Sequence, residues 1–246
     1  MRKQRHIVAI GGGSFYTDPG NSLDDFLIAL TKAPRPRVCL LPTAGGDADL
    51  PCEAFLRSFL ERRCRPSVVR LFRRDLEDLE SVLLAQDLIF VGGGNTANLM
   101  AVWRVHGVDR ILRAAHERGI VLAGVSAGGL CWFDEGLSDS YHVTNLKPVT
   151  GLLGLLKGSF CPHYDSEENR RPIYRRLVAE GGLASGMAAD DGVALHFADG
   201  ALVEAVAFRP GGSAWQVERV VGGGEAPSVT ESPIATRLLG EVGALP

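Results

Sequence analysis

Short apolar runs separated by amphipathic stretches fill the first half of the chain. Ile7 to Ile10, Arg37 to Leu41, Val68 to Phe72, Leu88 to Val91 and Val121 to Ala123 are predicted as strands. Their apolar residues are consecutive rather than alternating, which suits strands buried on both faces. Between them, Ser22 to Leu30, Glu53 to Arg63, Leu76 to Leu84 and Val108 to Glu117 carry helical patterns. Asp24 and Asp25 suit the first turn of the first helix, and positions 55, 56, 59 and 60 share one face of the second. Alternating strands and helices predict an α/β fold: a mostly parallel central sheet with helices on both faces, a three-layer sandwich.

The pattern changes after Phe133. Asp134 to Thr150 has no clear period and is predicted as a long active-site loop, a candidate lid. Glu167 to Glu180 reads as a charged helix with Pro172 inside it, where a proline breaks or offsets the first turn. Val193 to Phe197, Ala201 to Phe208 and Ala214 to Val221 read as short strands joined by turns at Asp199-Gly200 and Pro210-Gly211-Gly212. These are expected to extend the sheet in antiparallel fashion. No linker or repeat divides the chain, so residues 1–246 are expected to form one domain.

Composition narrows the classes. With 246 residues, 22% of them charged and a formal net charge of -3, the chain has no global field for nucleic acid. The cluster Arg62, Arg63, Arg65 adjoins Glu61, lacks interleaved aromatics and reads as a solvated helix end. Four apolar residues before Gly11 are too few for a secretory signal, and no apolar stretch reaches bilayer length. The expectation is a cytoplasmic protein with no nucleic-acid or membrane partner. Five unpaired cysteines, at 39, 52, 64, 131 and 161, show no compact ligand spacing, so neither a metal nor a cofactor is expected. The glycine runs lack both the dinucleotide fingerprint and the P-loop ending.

Chemistry concentrates around Ser126. The apolar run ending in Gly124-Val125-Ser126-Ala127-Gly128-Gly129, followed by the helix-compatible Leu130 to Phe133, is how a nucleophile elbow is written. Three strands end in glycine-rich turns, at 11–13, 92–94 and 124–129. Strand carboxyl ends surround the ligand crevice of an open α/β sheet, so these turns are expected to converge. A serine nucleophile needs a base and an acid to orient it. His163, in Phe160-Cys161-Pro162-His163-Tyr164-Asp165, is the first choice of base and His142 the second; His106 and His116 are expected to face solvent. Two carboxylates compete as the acid, Asp139 in the loop between serine and histidine and Asp191 after the histidine. Ala127 N–H is one expected oxyanion donor. Gly94 is expected to supply the second, with Gly93 as its alternative. Asn95 and Thr96 open the next helix, as a cap or as substrate ligands.

Together, Val91-Gly92-Gly93-Gly94-Asn95-Thr96, the Ser126 elbow, Cys161-Pro162-His163-Tyr164 and Asp190-Asp191-Gly192 resemble the peptidase E family of serine peptidases, which includes cyanophycinase. The resemblance runs from the first strand to about residue 210. It implies an architecture like the class I glutamine amidotransferases, with serine in place of the cysteine. It also implies Ser126 as nucleophile, His163 as base, and an oxyanion hole from the glycine loop and Ala127. Peptidase E members are cytoplasmic dipeptidases acting on N-terminal aspartyl peptides, whereas cyanophycinase cuts a β-aspartyl-arginine polymer. In peptidase E the acid lies between serine and histidine, where a gap-free overlay places Tyr141 and Asp139 is the nearest carboxylate. In cyanophycinase-like members it matches Asp191. Asp139 is narrowly favoured.

The expected function is therefore a serine exopeptidase for short aspartyl peptides. A β-aspartyl peptide or amide hydrolase is the alternative, and a non-catalytic small-ligand-binding protein on the same fold a second. An acidic substrate side chain needs a cation, for which Arg170, Arg171 and Arg104 are the candidates. Helical phase lets only one of Arg170 and Arg171 point inward. A homodimer through a sheet edge or a helix is compatible with the chain, and no pattern selects the surface.

Overall fold

A computed structural model describes residues 3–13, 22–142, 145–220 and 227–240. Four apolar runs form β1 (His6–Ile10), β2 (Arg37–Leu41), β4 (Leu88–Val91) and β5 (Val121–Val125). The strand expected at Val68 to Phe72 lies earlier, as β3 (Arg65–Val68), an outer strand of Arg-Pro-Ser-Val that meets the sheet only through β2. The five strands pair in parallel in the order β1-β5-β4-β2-β3. Helices α1 (Ser22–Thr31), α2 (Asp49–Glu61), α3 (Leu79–Leu84), α4 (Thr96–His106) and α5 (Val108–Glu117) connect them. Both faces of β1, β2, β4 and β5 are buried, as consecutive apolar residues require. Val8, Ile10, Leu40 and Phe90 meet Leu23 and Leu27 of α1 and Phe55 and Phe59 of α2. Ile7, Ala9, Leu41 and Val91 belong to the opposite core with Leu83 of α3, Leu99 and Trp103 of α4 and Leu112 of α5.

The second half departs from the expected single sheet. After α6 (Ala127–Leu130), the segment read as a long loop contains β6 (Glu135–Ser138) and β7 (Lys147–Thr150), an antiparallel pair. Positions 143 and 144 of that expected lid lie outside the described residues. There follow β8 (Ser159–Cys161), α7 (Arg170–Glu180), β9 (Gly186–Ala189), β10 (Val193–Ala198), β11 (Ala201–Ala207), β12 (Ala214–Val220), β13 (Ser228–Ile234) and β14 (Thr236–Leu238). β10 pairs antiparallel with β1 and β11 with β10, as the tail pattern predicts, and β14 closes that edge. β12 leaves the main sheet. It joins a second sheet of order β13-β12-β9-β8-β6-β7, and Val221, expected at its end, lies outside the described residues.

The reason is the segment 209–213, which carries the chain off the first sheet. There the Asp190 carboxylate accepts the Ser213 N–H at 2.9 Å and Asp190 N–H donates to the Ser213 carbonyl at 3.0 Å. The chain is thereby tied beside β9. Helix α7 covers the second sheet through Tyr174 and Val178, packed with Leu137, Cys161, Ala188 and Val217. Pro172 falls in its first turn, where the missing N–H leaves no intrahelical bond unmade. Among the described residues, no helix is long and apolar enough to cross a membrane.

Candidate active site

Ser126 is the first residue beyond β5, with φ 56° and ψ -116°, a region a non-glycine residue seldom occupies. Such conformations cost about 1–3 kcal/mol and persist where the surroundings over-determine them. Here Ser126 N–H donates to the Ile10 carbonyl at 2.9 Å. The Ser126 carbonyl accepts from Gly129 and Leu130 at 2.9 and 2.8 Å. The flanking glycines are a steric demand: a Cβ on Gly124 would stand 2.3 Å from the Gly128 carbonyl oxygen, and one on Gly128 2.2 Å from that of Val91.

His163 stands at the exit of β8, also with positive φ, at 54°. Its Nε2 lies 2.8 Å from Ser126 Oγ and its Nδ1 2.6 Å from Asp191 Oδ1. The Asp191 carboxyl is held below its ordinary range, chiefly by the His163 hydrogen bond against the opposing effect of burial, with help from Ser166 and Arg209. An ionised carboxylate only accepts, so the imidazole proton sits on Nδ1. Nε2 is left to accept from the serine hydroxyl. The imidazole and carboxylate are 22% and 25% exposed, open enough for substrate and buried enough to hold one geometry.

The favoured acid, Asp139, is not at His163. Its carbonyl accepts from His142 N–H, and its carboxylate has no partner among the described residues. Physically, the neighbouring Ser140 fastens this segment to the start of α4. Ser140 Oγ accepts the Thr96 and Ala97 N–H groups at 2.9 and 3.2 Å, and its carbonyl accepts from Asn95 Nδ2 at 2.8 Å. Asp191 reaches the imidazole because its loop is anchored on three sides. Gly192 N–H donates to the Gly12 carbonyl at 2.8 Å, Asp191 N–H donates to Asp165 Oδ1 at 2.9 Å, and Arg209 grips Asp165 Oδ2 at 2.7 Å.

The three glycine turns do converge. A Cβ on Gly12 would lie 1.8 Å from Asp191 Oδ1 and 2.6 Å from His163 Nδ1, and one on Gly93 would touch Ser126 Cβ at 3.4 Å. Gly93, the alternative second donor, thus runs beside the serine. Gly94, with φ 138°, is pressed against Ala44, whose carbonyl oxygen is 2.2 Å from where its Cβ would be. The N–H groups of Gly93, Gly94 and Ala127 have no acceptor among the described residues. These are the donors the site leaves free.

Other nominated residues are occupied. Asn95 caps α4, its Oδ1 accepting Asn98 N–H at 2.8 Å, and Thr96 is buried beneath Ser138 and Ser140. Arg170 is the inward member of its pair, buried, bonded to Glu167 and donating to the Leu137 carbonyl. Arg171 is bound to Glu231 at 2.8 Å, and Arg104 donates to the Gly151 carbonyl. His142 lies on the exposed turn after Asp139, and His116 is buried rather than solvent-facing because it closes the core side of α5. Sequence reasoning gave no role to Gly12, Asp165 or Arg209. The first glycine run signalled a crevice, while nothing marked the aspartate and arginine, whose role depends on tertiary neighbours.

A model of peptidase family S51 matches residues 7–204. The chain is 44% identical over 239 residues to "Uncharacterized peptidase YgaJ" of Bacillus subtilis strain 168, covering 96% of this chain and all of that protein. Among solved structures it resembles a peptidase from an acI-B1 Actinobacterium (TM-score 0.63, 16% identity, 93% of this chain and 97% of that one). It also resembles a "Putative Peptidase E Protein" from Listeria monocytogenes EGD-e (TM-score 0.60, 16% identity, 81% and 97%). At that identity the two structures speak for the fold. The family match and the Bacillus relative speak for the lineage, and by them the chain belongs to peptidase family S51 and is a serine peptidase.

Proposed function

We propose that Ser126, His163 and Asp191 form the catalytic triad of an exopeptidase that cleaves short peptides through an acyl-enzyme. The observation carrying this reading is the unbroken pair of contacts, 2.8 Å from Ser126 Oγ to His163 Nε2 and 2.6 Å from His163 Nδ1 to Asp191. His163 takes the hydroxyl proton as Ser126 attacks the carbonyl carbon. The new oxyanion is received by the free N–H groups of Ala127 and Gly93, with Gly94 beside them. His163 returns its proton to the leaving amine, and then deprotonates the water that releases the acyl group. Losing one such donor typically costs about 3 kcal/mol of transition-state stabilisation.

The substrate of this reading is a short peptide with an N-terminal aspartyl residue, on the strength of the peptidase E resemblance. Arg104, Arg170 and Arg171 are committed elsewhere in the fold, so they are not its carboxylate's receptors in this reading. A second reading, hydrolysis of a β-aspartyl linkage, is favoured by one observation. The carboxylate at the imidazole is Asp191, the position that the cyanophycinase-like members use.

The test is hydrolysis of α-Asp-Leu, β-Asp-Leu and non-aspartyl dipeptides by wild-type and Ser126→Ala protein, alongside labelling by a serine-directed phosphonate. Wild type labelled at Ser126 and active, with the variant at least a thousandfold slower, is the expected result. Equal turnover by both would remove Ser126 from the mechanism. Turnover of β-Asp-Leu without turnover of α-Asp-Leu would select the second reading.

A further inference from the structure

The base sits on strained backbone, and the residue that follows it is fastened to the far edge of the second sheet. Tyr164 N–H donates to the Ala189 carbonyl at 3.2 Å. Its hydroxyl crosses to β13 and donates to Glu231 Oε1 at 2.6 Å. The other oxygen of Glu231 accepts Arg171 Nη2 of α7 at 2.8 Å, with Arg175 Nε 3.7 Å away. The Arg171 guanidinium in turn lies over two rings, 5.3 Å from the centroid of Tyr164 and 4.5 Å from that of Trp215. These cation–π contacts fix the arginine that fixes the glutamate.

Glu231 stands out because a carboxylate with only 9% of its side chain exposed sits on an outermost strand, among residues the chemistry does not use. It lies beyond residue 204, where the family match ends. Burial opposes its charge. The hydrogen bonds from Arg171 and Tyr164 outweigh that and keep its carboxyl below the ordinary range. Burial, reinforced by Glu231, pushes the Tyr164 hydroxyl well up, so it stays a donor. A charge-assisted clamp whose carboxylate is largely shielded, though its arginines are partly exposed, holds geometry more strictly than a fully exposed ion pair does.

From this arrangement we infer that Glu231 is a positioning residue: by clamping Tyr164 and Arg171 together it sets His163 between Ser126 and Asp191. The inference rests on the proposal that His163 is the base. The left-handed backbone at 163 makes the clamp necessary, since a residue in that conformation relaxes unless the chain on both sides is held. On the upstream side β8 pairs with β9, Cys161 opposite Ala188, and Pro162 stiffens the approach. On the downstream side Glu231 holds Tyr164 from the side-chain end. The clamp touches no reacting atom, so its loss misorients the imidazole without removing a substrate contact.

The experiment compares Glu231→Gln and Tyr164→Phe with Leu183→Ala. Leu183 is buried in the same cluster, and its truncation loosens the packing while removing no hydrogen bond to Glu231, Tyr164 or Arg171. Three quantities are read beside the thermal midpoint. They are the rate of phosphonate labelling at Ser126, kcat and KM on the best dipeptide, and the low-field proton resonance of the imidazole N–H shared with Asp191. Glu231→Gln is expected to slow labelling and kcat at least tenfold with KM within threefold. Both clamp variants should broaden or shift the low-field proton. Leu183→Ala, at a comparable fall in midpoint, should keep rate and resonance. Labelling within twofold of wild type and an unchanged resonance in Glu231→Gln would overturn the inference. So would equal losses in Leu183→Ala. If wild type itself resists labelling, the hydrolase reading fails, and the resonance alone then decides whether Glu231 sets the imidazole.

Discussion

Replacing Gly12 by alanine tests the site through a contact that only the folded chain creates. The added methyl would lie 1.8 Å from Asp191 Oδ1, against the 3.0 Å that a Cβ contact requires. The carboxylate must therefore retreat by about 1.2 Å, enough to stretch a 2.6 Å hydrogen bond beyond bonding range. The backbone of Gly12 cannot withdraw instead, because its carbonyl holds Gly192 N–H at 2.8 Å, on the loop that carries Asp191. Full loss of an orienting aspartate costs roughly 10⁴ in kcat, about 5 kcal/mol. Asp191 is a quarter exposed, so water can stand in for part of the lost contact. The expected loss is about 10² to 10⁴ in kcat, with the roughly 1–3 kcal/mol of destabilisation typical of overpacking. The assay is kcat on the best dipeptide and the phosphonate labelling rate, with thermal melting to establish folding. Gly200→Ala is the control: its φ is 87° and nothing lies within 4 Å, so it costs backbone strain of about 1–2 kcal/mol and no activity. A folded Gly12→Ala protein with kcat within threefold of wild type would refute the argument that this glycine makes room for the His163–Asp191 pair.

Asp191→Asn should lower kcat by about 10² to 10⁴ because an amide favours the wrong imidazole tautomer, whereas Asp139→Asn should stay within about threefold. The reverse ranking in a kinetic comparison would return the acid to residue 139. His6 and His196 pair at 3.0 Å between Nδ1 and Nε2, with Glu204 at 3.4 Å from His196 and Arg237 on Glu204. Burial holds both imidazoles below the ordinary 6.5, with His196, Lys32 and Lys3 adding to the effect on His6 while Asp199 opposes it; Glu204 opposes it on His196. Below pH 6.5 the unfolded chain then binds more protons, so stability falls as pH drops from there through the folded values. The thermal midpoint between pH 7.5 and 5 should decline less in His196→Gln than in wild type, and parallel curves would count against the pair. All five cysteines are buried, with Cys39 pushed up to about 12 by desolvation. Ellman's reagent should accordingly find no reactive thiol in the native protein and five after denaturation. Rapid reaction of even one would show a core opening absent from the folded chain.

The parallel half of the fold was legible because burial on both faces writes itself as consecutive apolar residues. Ile7 to Ile10 and Leu88 to Val91 could be read as strands with no knowledge of their neighbours. The Ser126 elbow was legible for a steric reason: a Cβ on Gly124 or Gly128 would stand only 2.3 or 2.2 Å from a carbonyl oxygen. His163 stood out by its setting after Pro162. What the chain could not announce is which partner each polar group meets. β12 carries apolar positions that fit either sheet, and the Asp190–Ser213 contacts accompany its place in the second one. Asp139 and Asp191 are the same chemical group at comparable distances along the chain, and only the fold brings one of them to the imidazole. Arg170 and Arg171 are equally blind to their partners until α7 is packed. Local sequence determined backbone conformations and where a hydroxyl would protrude, since those depend on neighbours a few residues away. Tertiary structure alone decided which carboxylate meets the imidazole and which partners occupy the arginines, because hydrogen bonds and charge pairs of a few ångströms link residues that the chain keeps tens of positions apart.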